Sequence, residues 1–206
     1  MGLMIPRLAA CTVVLSLYAA AAPGQVIHYE ANGLKYQTLT RSGVTVMFAH
    51  MPTPVRDFAV IQVAVSNGSG GPYVIRPEDF TFVRPDGTVT RAWGAREVVS
   101  VLMDKGGRND VIRLVSAYES ALYGMTRMRS TNGYEARRQA ALAEVSSTRL
   151  KAAAAASAIA LVQTKLAPGQ STDGAVFFQF PATERKPHTG RVVVRTNTDT
   201  FEFDAE

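Results

Sequence analysis

The sequence contains a single cysteine, Cys11, and only three histidines. Cys11 lies in an amino-terminal apolar stretch that we predict to be removed. The remaining chain would then have no disulfide and no thiolate for catalysis or metal binding, although export would permit disulfides. The histidines are His28, His50 and His188, each near an expected loop or strand end. The stability of such a chain must come from its apolar core.

Sequence motifs for catalysis or phosphate binding are also missing. The chain has no G-x-S-x-G nucleophile elbow and no paired-carboxylate motif. The Gly-rich stretch 68–71 follows an expected strand and precedes Pro72, so no helix N-terminus can receive a phosphate there. A Ser–His–Asp site assembled in space is the open alternative. We therefore predict a non-enzymatic protein that has no cofactor.

One group of residues could suit a soft metal such as copper. Met47, His50 and Met51 lie close together in the sequence. Alternation along a strand puts the two methionines on one face and the histidine on the other. The spacing therefore favours core methionines beside an exposed histidine, and we predict no metal site.

The amino terminus has the composition of a secretory signal peptide. Arg7 is followed by an apolar run, Leu8–Ala22. That run has about fifteen residues, fewer than the roughly twenty that span a bilayer. Small residues before the expected cut predict cleavage after Gly24, which makes residues 1–24 the signal peptide and leaves no membrane span. Cleavage after Ala21 and an uncleaved anchor are the alternatives.

Leu8-Ala-Ala-Cys11 resembles the lipobox of bacterial lipoproteins. In that family the apolar region precedes the cysteine, whereas here most of it follows, and Arg7 lies only four residues upstream. We therefore disfavour acylation of Cys11. The expected location is the periplasm or the extracellular space.

Composition and charge describe a globular chain with one distinctive segment. Hydrophobic residues make up 47% of the chain and charged residues 19%, which is typical of a folded domain. A mature length of about 180 residues fits one domain. The net charge is +5, and nine basic against five acidic side chains fall between Asp104 and Lys151. We expect these charges to form a solvated face, and contact with an anionic surface or an acidic partner is the alternative.

Two strand-rich stretches, Leu34 to Ala92 and Leu161 to Asp204, flank this segment. Phe58–Ser66 is dense in β-branched residues and apolar on both faces, which is typical of a central strand. Pro85-Asp86-Gly87 is a turn, because proline presets φ and glycine accepts the positive φ that follows. Eight or nine short strands with frequent turns predict an antiparallel sandwich.

Five short motifs strengthen this prediction. They are Val65-Ser66-Asn67, Phe80-Thr-Phe82, Asp86-Gly87, Leu166-Ala-Pro-Gly169 and Gly174-Ala-Val-Phe-Phe178. Together they resemble bacterial secreted immunoglobulin-like β-sandwich domains of unknown function. The resemblance implies an exported immunoglobulin-like fold and no activity. We predict a mainly β chain in which residues 25–206 form one such antiparallel sandwich domain, interrupted at about 94–160 by a large α-helical insertion.

The expected insertion has clear helix signals. Asn109 or Asp110 can N-cap a helix whose apolar stripe runs from Val111 to Met125. From Tyr134 to Ile159 the chain lacks glycine and proline and is rich in alanine, which favours a second helix. The alanine run suits close packing against the preceding helix. An oligomer interface is the alternative.

Five arginines of the insertion form the candidate contact surface. They are Arg127, Arg129, Arg137, Arg138 and Arg149. No aromatic residues are interleaved with them and no recognition-helix motif is present, so we predict no nucleic-acid binding. We expect a non-enzymatic binding or assembly module of the bacterial envelope, whose insertion contacts a protein partner or a second copy. The alternative is a binder of a small ligand or an anionic surface in a cleft between insertion and sandwich.

Overall fold

The chain is mainly β in the computed structural model, which describes residues 24–52, 54–115, 128, 130–131, 136, 139–140, 143, 147–180 and 189–205. The strands are β1 (Ile27–Ala31), β2 (Leu34–Arg41), β3 (Val44–His50), β4 (Phe58–Asn67), β5 (Tyr73–Ile75), β6 (Phe80–Val83), β7 (Val89–Trp93), β8 (Thr164–Leu166), β9 (Ser171–Gln179), β10 (Gly190–Arg195) and β11 (Thr200–Ala205). The helices are α1 (Ala95–Lys105) and α2 (Thr148–Ile159), residues 108–115 are also helical, and Pro77–Asp79 form a short 3-10 helix.

Nine strands form one antiparallel sheet in the order β1-β2-β3-β4-β9-β7-β6-β10-β11, while β5 and β8 pair separately. The sheet curls until its two ends approach each other. Phe48 of β3 meets Phe203 of β11 edge to face, with ring centroids 4.9 Å apart. The side chain of Gln37 in β2 donates a hydrogen bond to the carbonyl of Asp204 in β11. The result is a half-barrel whose concave side is filled with side chains.

Alternation along the strands divides the core into two clusters. On β3, Val46 and Phe48 belong to the cluster inside the curl, whereas Met47 and Ala49 belong to the cluster beneath the helices. Leu102 of α1 lies in this outer cluster, together with alanines of α2. Central strands are therefore covered on both faces, which explains their nearly continuous apolar sequence.

The predicted immunoglobulin-like sandwich is wrong. A sandwich has two separate sheets that face each other. Here β9 pairs with β4 along its length and also with β7 at Ala92 and Trp93, so both halves belong to one sheet. The sequence pattern indicated the strands, but the architecture depends on the pairing of two residues at the end of β7 with β9.

The prediction of a large α-helical insertion is also wrong. Between β7 and β8 the described helical residues are α1, residues 108–115, the separate residues 136, 139–140 and 143, and α2, with bends and extended backbone at Gly106, Gly107 and residues 130–131. Gly106, with extended backbone, ends α1 before the next stretch begins. Of the helix expected from Val111 to Met125, residues 111–115 are helical and the others lie outside the described residues. In the described part of the chain, no helix reaches the length and apolarity that crossing a bilayer requires.

The alanine run is buried within the chain. Ala152, Ala155 and Ala156 have no exposed surface. A Cβ placed on Gly106 would lie 2.9 Å from the Ala152 Cβ, so α2 approaches the end of α1 closely. Small side chains on α2 permit this approach. Within the described residues α2 therefore packs against α1, and most of the helix expected from Val111 to Met125 lies outside them.

Candidate functional site

Most of the predicted arginine surface lies outside the described residues. Arg127, Arg129, Arg137 and Arg138 lie outside the described residues, and Arg149 belongs to the first turn of α2. This contact surface therefore stays a prediction. The described residues instead form two clefts where helical segments meet the sheet.

The methionine–histidine group is divided between the two faces of the sheet, as alternation predicts. Met47 and Met51 are buried beneath the helices, whereas His50 packs edge-on against Phe48 on the other face, with ring centroids 5.2 Å apart. The expectation of an exposed His50 is wrong, since burial lowers the pKa of His50 to about 4 and keeps the ring neutral at neutral pH. Over the described residues, no cluster of three or more His, Cys, Asp or Glu could hold a metal ion.

The larger cleft, here called the Trp93 groove, has a volume of about 1070 Å³. It lies between the end of β7, the start of α1 and residues 161–163, which follow α2. Ala92 and Leu161 are buried in its apolar floor. Trp93 is partly exposed beside the floor, and its ring meets Phe58 edge to face at a centroid distance of 5.3 Å. The groove thus has an aromatic side, the Trp93 ring, which the core residue Phe58 holds in place.

The groove exists because β7 ends abruptly. Ala92 and Trp93 pair with β9, and Gly94 then begins α1 as its N-cap. The Gly94 N–H donates a hydrogen bond of 2.9 Å to Oε2 of Glu97, which is the half of a capping box that a glycine N-cap permits. The helix therefore leaves the sheet directly after Trp93 and leaves space beside it.

Four charged side chains line the groove: Glu78, Arg91, Arg96 and Glu97. The two carboxylates converge on the N-terminus of α1. Glu97 Oε2 and Glu78 Oε1 lie 3.6 and 3.7 Å from the point where a Gly94 Cβ would stand. The positive end of the helix stabilises both. Arg91 and Arg96 are exposed and form no ion pair within the described residues, so both guanidinium groups are open to a ligand, while the four side-chain charges of the groove sum to zero.

The second cleft has a volume of about 680 Å³ and lies between residues 54–57 and the helical stretch 108–115. Two of its charged side chains, Arg56 and Asp110, are paired with each other. Arg56 Nε lies 3.0 Å from Oδ2 of the buried Asp110, which also accepts a 2.8 Å hydrogen bond from the Gly107 N–H. Arg113 donates to the Pro54 carbonyl at 3.2 Å. We interpret this cleft as a structural clasp between loop and helix.

The clasp refines the expected N-cap. Asp110 is the third residue of the helical stretch, and its carboxylate accepts a hydrogen bond from the Gly107 N–H. Gly107 therefore occupies the N-cap position that the sequence suggested for Asn109 or Asp110. Arg56 adopts a φ of 53°, a conformation that few non-glycine residues take. The turn at Arg56 is thus held in place by the ion pair.

Asp110→Ala should lower the free energy of unfolding by about 2 kcal/mol, because Arg56 loses its partner and the Gly107 N–H its acceptor. Urea denaturation followed by circular dichroism measures the change. The matched control is Asn109→Ala, at an exposed neighbouring position, which should stay within about 0.5 kcal/mol of wild type. Equal stabilities for the two variants would contradict the structural role of the clasp.

Comparison with known proteins adds little to this geometry. Neither a protein-family model nor a curated protein matches the sequence. The chain is similar to the crystal structure of the yjhA protein from Bacillus subtilis, at a TM-score of 0.37 and 9% identity over 87% of this chain and 96% of that one. A likeness at that score supports no argument about fold or function, so the family resemblance of the strand motifs stays untested.

Proposed function

We propose that this protein is an exported, non-enzymatic binding protein of the bacterial envelope that holds a small amphipathic anion in the Trp93 groove. The observation that carries the proposal is the combination of an apolar floor with two arginines that lack ion-pair partners in the described residues. Small-molecule sites are typically concave and mostly apolar, with a few polar groups that fix orientation. The envelope location rests on the amino-terminal sequence pattern.

The ligand chemistry follows from the two parts of the groove. An apolar body would lie over Ala92 and Leu161 and against the ring of Trp93. An anionic head group would reach Arg91 and Arg96, whose guanidinium groups can bind carboxylate oxygens in pairs. Glu78 and Glu97 repel the anionic head group less than their charge suggests, because the N-terminus of α1 stabilises both carboxylates.

Trp93 provides the test, because it is the only tryptophan in the chain and its emission reports on the groove without a label. We expect a saturable change in emission on titration with decanoate below its critical micelle concentration. Octanoate and hexanoate should bind progressively more weakly, since each buried methylene contributes up to about 0.8 kcal/mol. Decylammonium, with the same apolar body and the opposite charge, should bind about tenfold more weakly than decanoate.

Arginine variants separate the head-group contact from simple partitioning onto the protein. Replacing Arg91 and Arg96 together by glutamine should weaken decanoate binding about tenfold. Arg195→Gln, an exposed arginine of β10 outside the groove, is the matched control and should bind as wild type does. Equal affinities for decanoate and decylammonium, or no saturable change with any carboxylate, would refute the proposal.

A further inference from the structure

The first strand leaves one edge of the half-barrel open. β1 ends the strand order and pairs only with β2. Asn32 and Gly33 connect the two strands and both have positive φ, 52° and 72°, as in a two-residue hairpin turn. In such a hairpin the flanking residues, Ala31 and Leu34, exchange both backbone hydrogen bonds.

This register determines which backbone groups face outward. Hydrogen-bonded and non-hydrogen-bonded pairs alternate along an antiparallel ladder, so Tyr29 bonds to β2 while His28 and Glu30 point their N–H and C=O groups away from it. Within the described residues, nothing pairs with this edge of β1. A row of free donors and acceptors can bind another strand.

The side chains of β1 add an apolar contribution on one face. Ile27 is 62% exposed and Tyr29 is 38% exposed, and Ile27 is the most exposed large apolar residue in the described part of the chain. The Tyr29 ring stacks on Tyr36 of β2, with centroids 4.9 Å apart and planes 7° from parallel. The stack fixes β1 against the sheet, so the open edge is held in a defined conformation.

We propose that β1 pairs with β1 of a second copy, antiparallel and centred on Tyr29, so that the two half-barrel sheets continue across a two-fold axis. In this register His28 of each copy lies opposite Glu30 of the other, and these residues exchange four backbone hydrogen bonds. Ile27 lies opposite Ala31. The same strand thus supplies both the imidazole and the carboxylate of two side-chain pairs.

The side chains of His28 and Glu30 favour this register, and they favour a second copy of the chain as the partner. A shift by two residues would place His28 opposite His28, or Glu30 opposite Glu30, and would replace attraction by like-charge contacts. Many sheet edges are protected by charges of one sign, especially lysine. On β1 an imidazole, which can donate a hydrogen bond, and a carboxylate, which accepts one, are spaced by two residues, and a two-fold axis places each opposite the other. Neither His28 nor Glu30 forms an ion pair within the described residues.

Cysteine cross-linking tests the geometry directly in the full-length chain carrying Cys11→Ser. The two Tyr29 positions form a non-hydrogen-bonded pair at the axis, with Cα atoms about 4.5 Å apart, which a disulfide can bridge. Tyr29→Cys should therefore give a disulfide-linked dimer under mild oxidation. Ile27→Cys, whose two copies lie on opposite sides of the axis, should cross-link at least about tenfold more slowly. Equal rates for the two variants, or no cross-link, would overturn the proposed register.

Substitutions of His28 test whether the partner of β1 is a second copy of the chain, and sedimentation equilibrium measures the dimer. His28→Glu should raise the dimer dissociation constant about tenfold, because two like-charge pairs replace two attractive ones. His28→Lys keeps the attraction and should stay within about threefold of wild type. Circular dichroism shows whether both variants keep the fold, since the side chain of His28 is exposed. A wild-type chain that remains monomeric at high micromolar concentration, or dimers equally stable in both variants, would overturn the proposal.

Discussion

Asn67→Ala is expected to lower the free energy of unfolding by about 4 kcal/mol, the largest effect of any single substitution that we propose. The Asn67 side chain is fully buried at the end of β4. Its amide donates to the carbonyls of Gly71 and Leu166 at 2.8 and 3.1 Å. Its oxygen accepts from the N–H and hydroxyl of Ser69 at 3.0 and 2.6 Å. Alanine would remove these four contacts at once and take from the buried Leu166 carbonyl the donor that Asn67 provides.

The melting temperature should fall by roughly 8–16 °C, since 1 kcal/mol corresponds to about 2–4 °C in a domain of this size. Asn197→Ala provides the matched control, because Asn197 is exposed between β10 and β11. It should change the stability by less than about 0.5 kcal/mol. A loss below about 1 kcal/mol for Asn67→Ala would show that water replaces these contacts and that Asn67 does not hold the loop.

Gly174→Ala should cost about 3 kcal/mol, although alanine usually stabilises a strand interior relative to glycine. Gly174 lies within β9, where residues after α2 cross it closely. A Cβ at this position would stand 2.6 Å from the Cα of Leu161 and 2.7 Å from its nitrogen. These are backbone atoms, and the Leu161 N–H is already bound to the Ala175 carbonyl at 2.8 Å. The crossing segment would have to move away from the sheet.

Gly70→Ala is the control for this substitution, because a Cβ there would meet no atom within 4 Å. It should unfold as wild type does in a thermal melt. Because Leu161 also forms part of the Trp93 groove, Gly174→Ala should weaken decanoate binding as well. A variant as stable as wild type would mean that the segment around Leu161 can shift without loss.

The sequence predicted those elements in which local pattern and environment agree. Phe201 and Phe203 alternate with polar residues in the sequence, as in a half-exposed strand, and both are buried in β11 while Glu202 between them is exposed. Phe58–Asn67 likewise forms a strand where β-branched residues are densest. In both strands the side-chain period of two is sufficient to identify the strand and its faces.

The same reasoning failed where a residue pair has a tertiary role. Asp173-Gly174 is typical of a turn, yet both residues lie inside β9. Gly174 admits the backbone of Leu161, and the buried Asp173 accepts hydrogen bonds from the N–H and hydroxyl of Ser130 at 2.9 and 2.6 Å. These partners are far away in the sequence, so local turn chemistry could not reveal them.

The Trp93 groove could not be predicted from the sequence, for a similar reason. Its lining comes from three separate parts of the chain, near Glu78, Trp93 and Leu161. Each part is ordinary by itself, and no spacing rule connects them. The only local feature that marks the position is the single tryptophan, which follows the first strand-rich stretch directly.

The pairing of β4 with β9 has a consequence for biogenesis. Val63 lies opposite Gly174, so more than a hundred residues separate the two halves of the central ladder. Contacts of such long sequence separation form slowly, because loop closure must precede any gain from pairing. During synthesis β4 has no partner on that side until β9 has left the ribosome. For a protein that is exported as an extended polypeptide, as we propose, this order delays folding until translocation is complete.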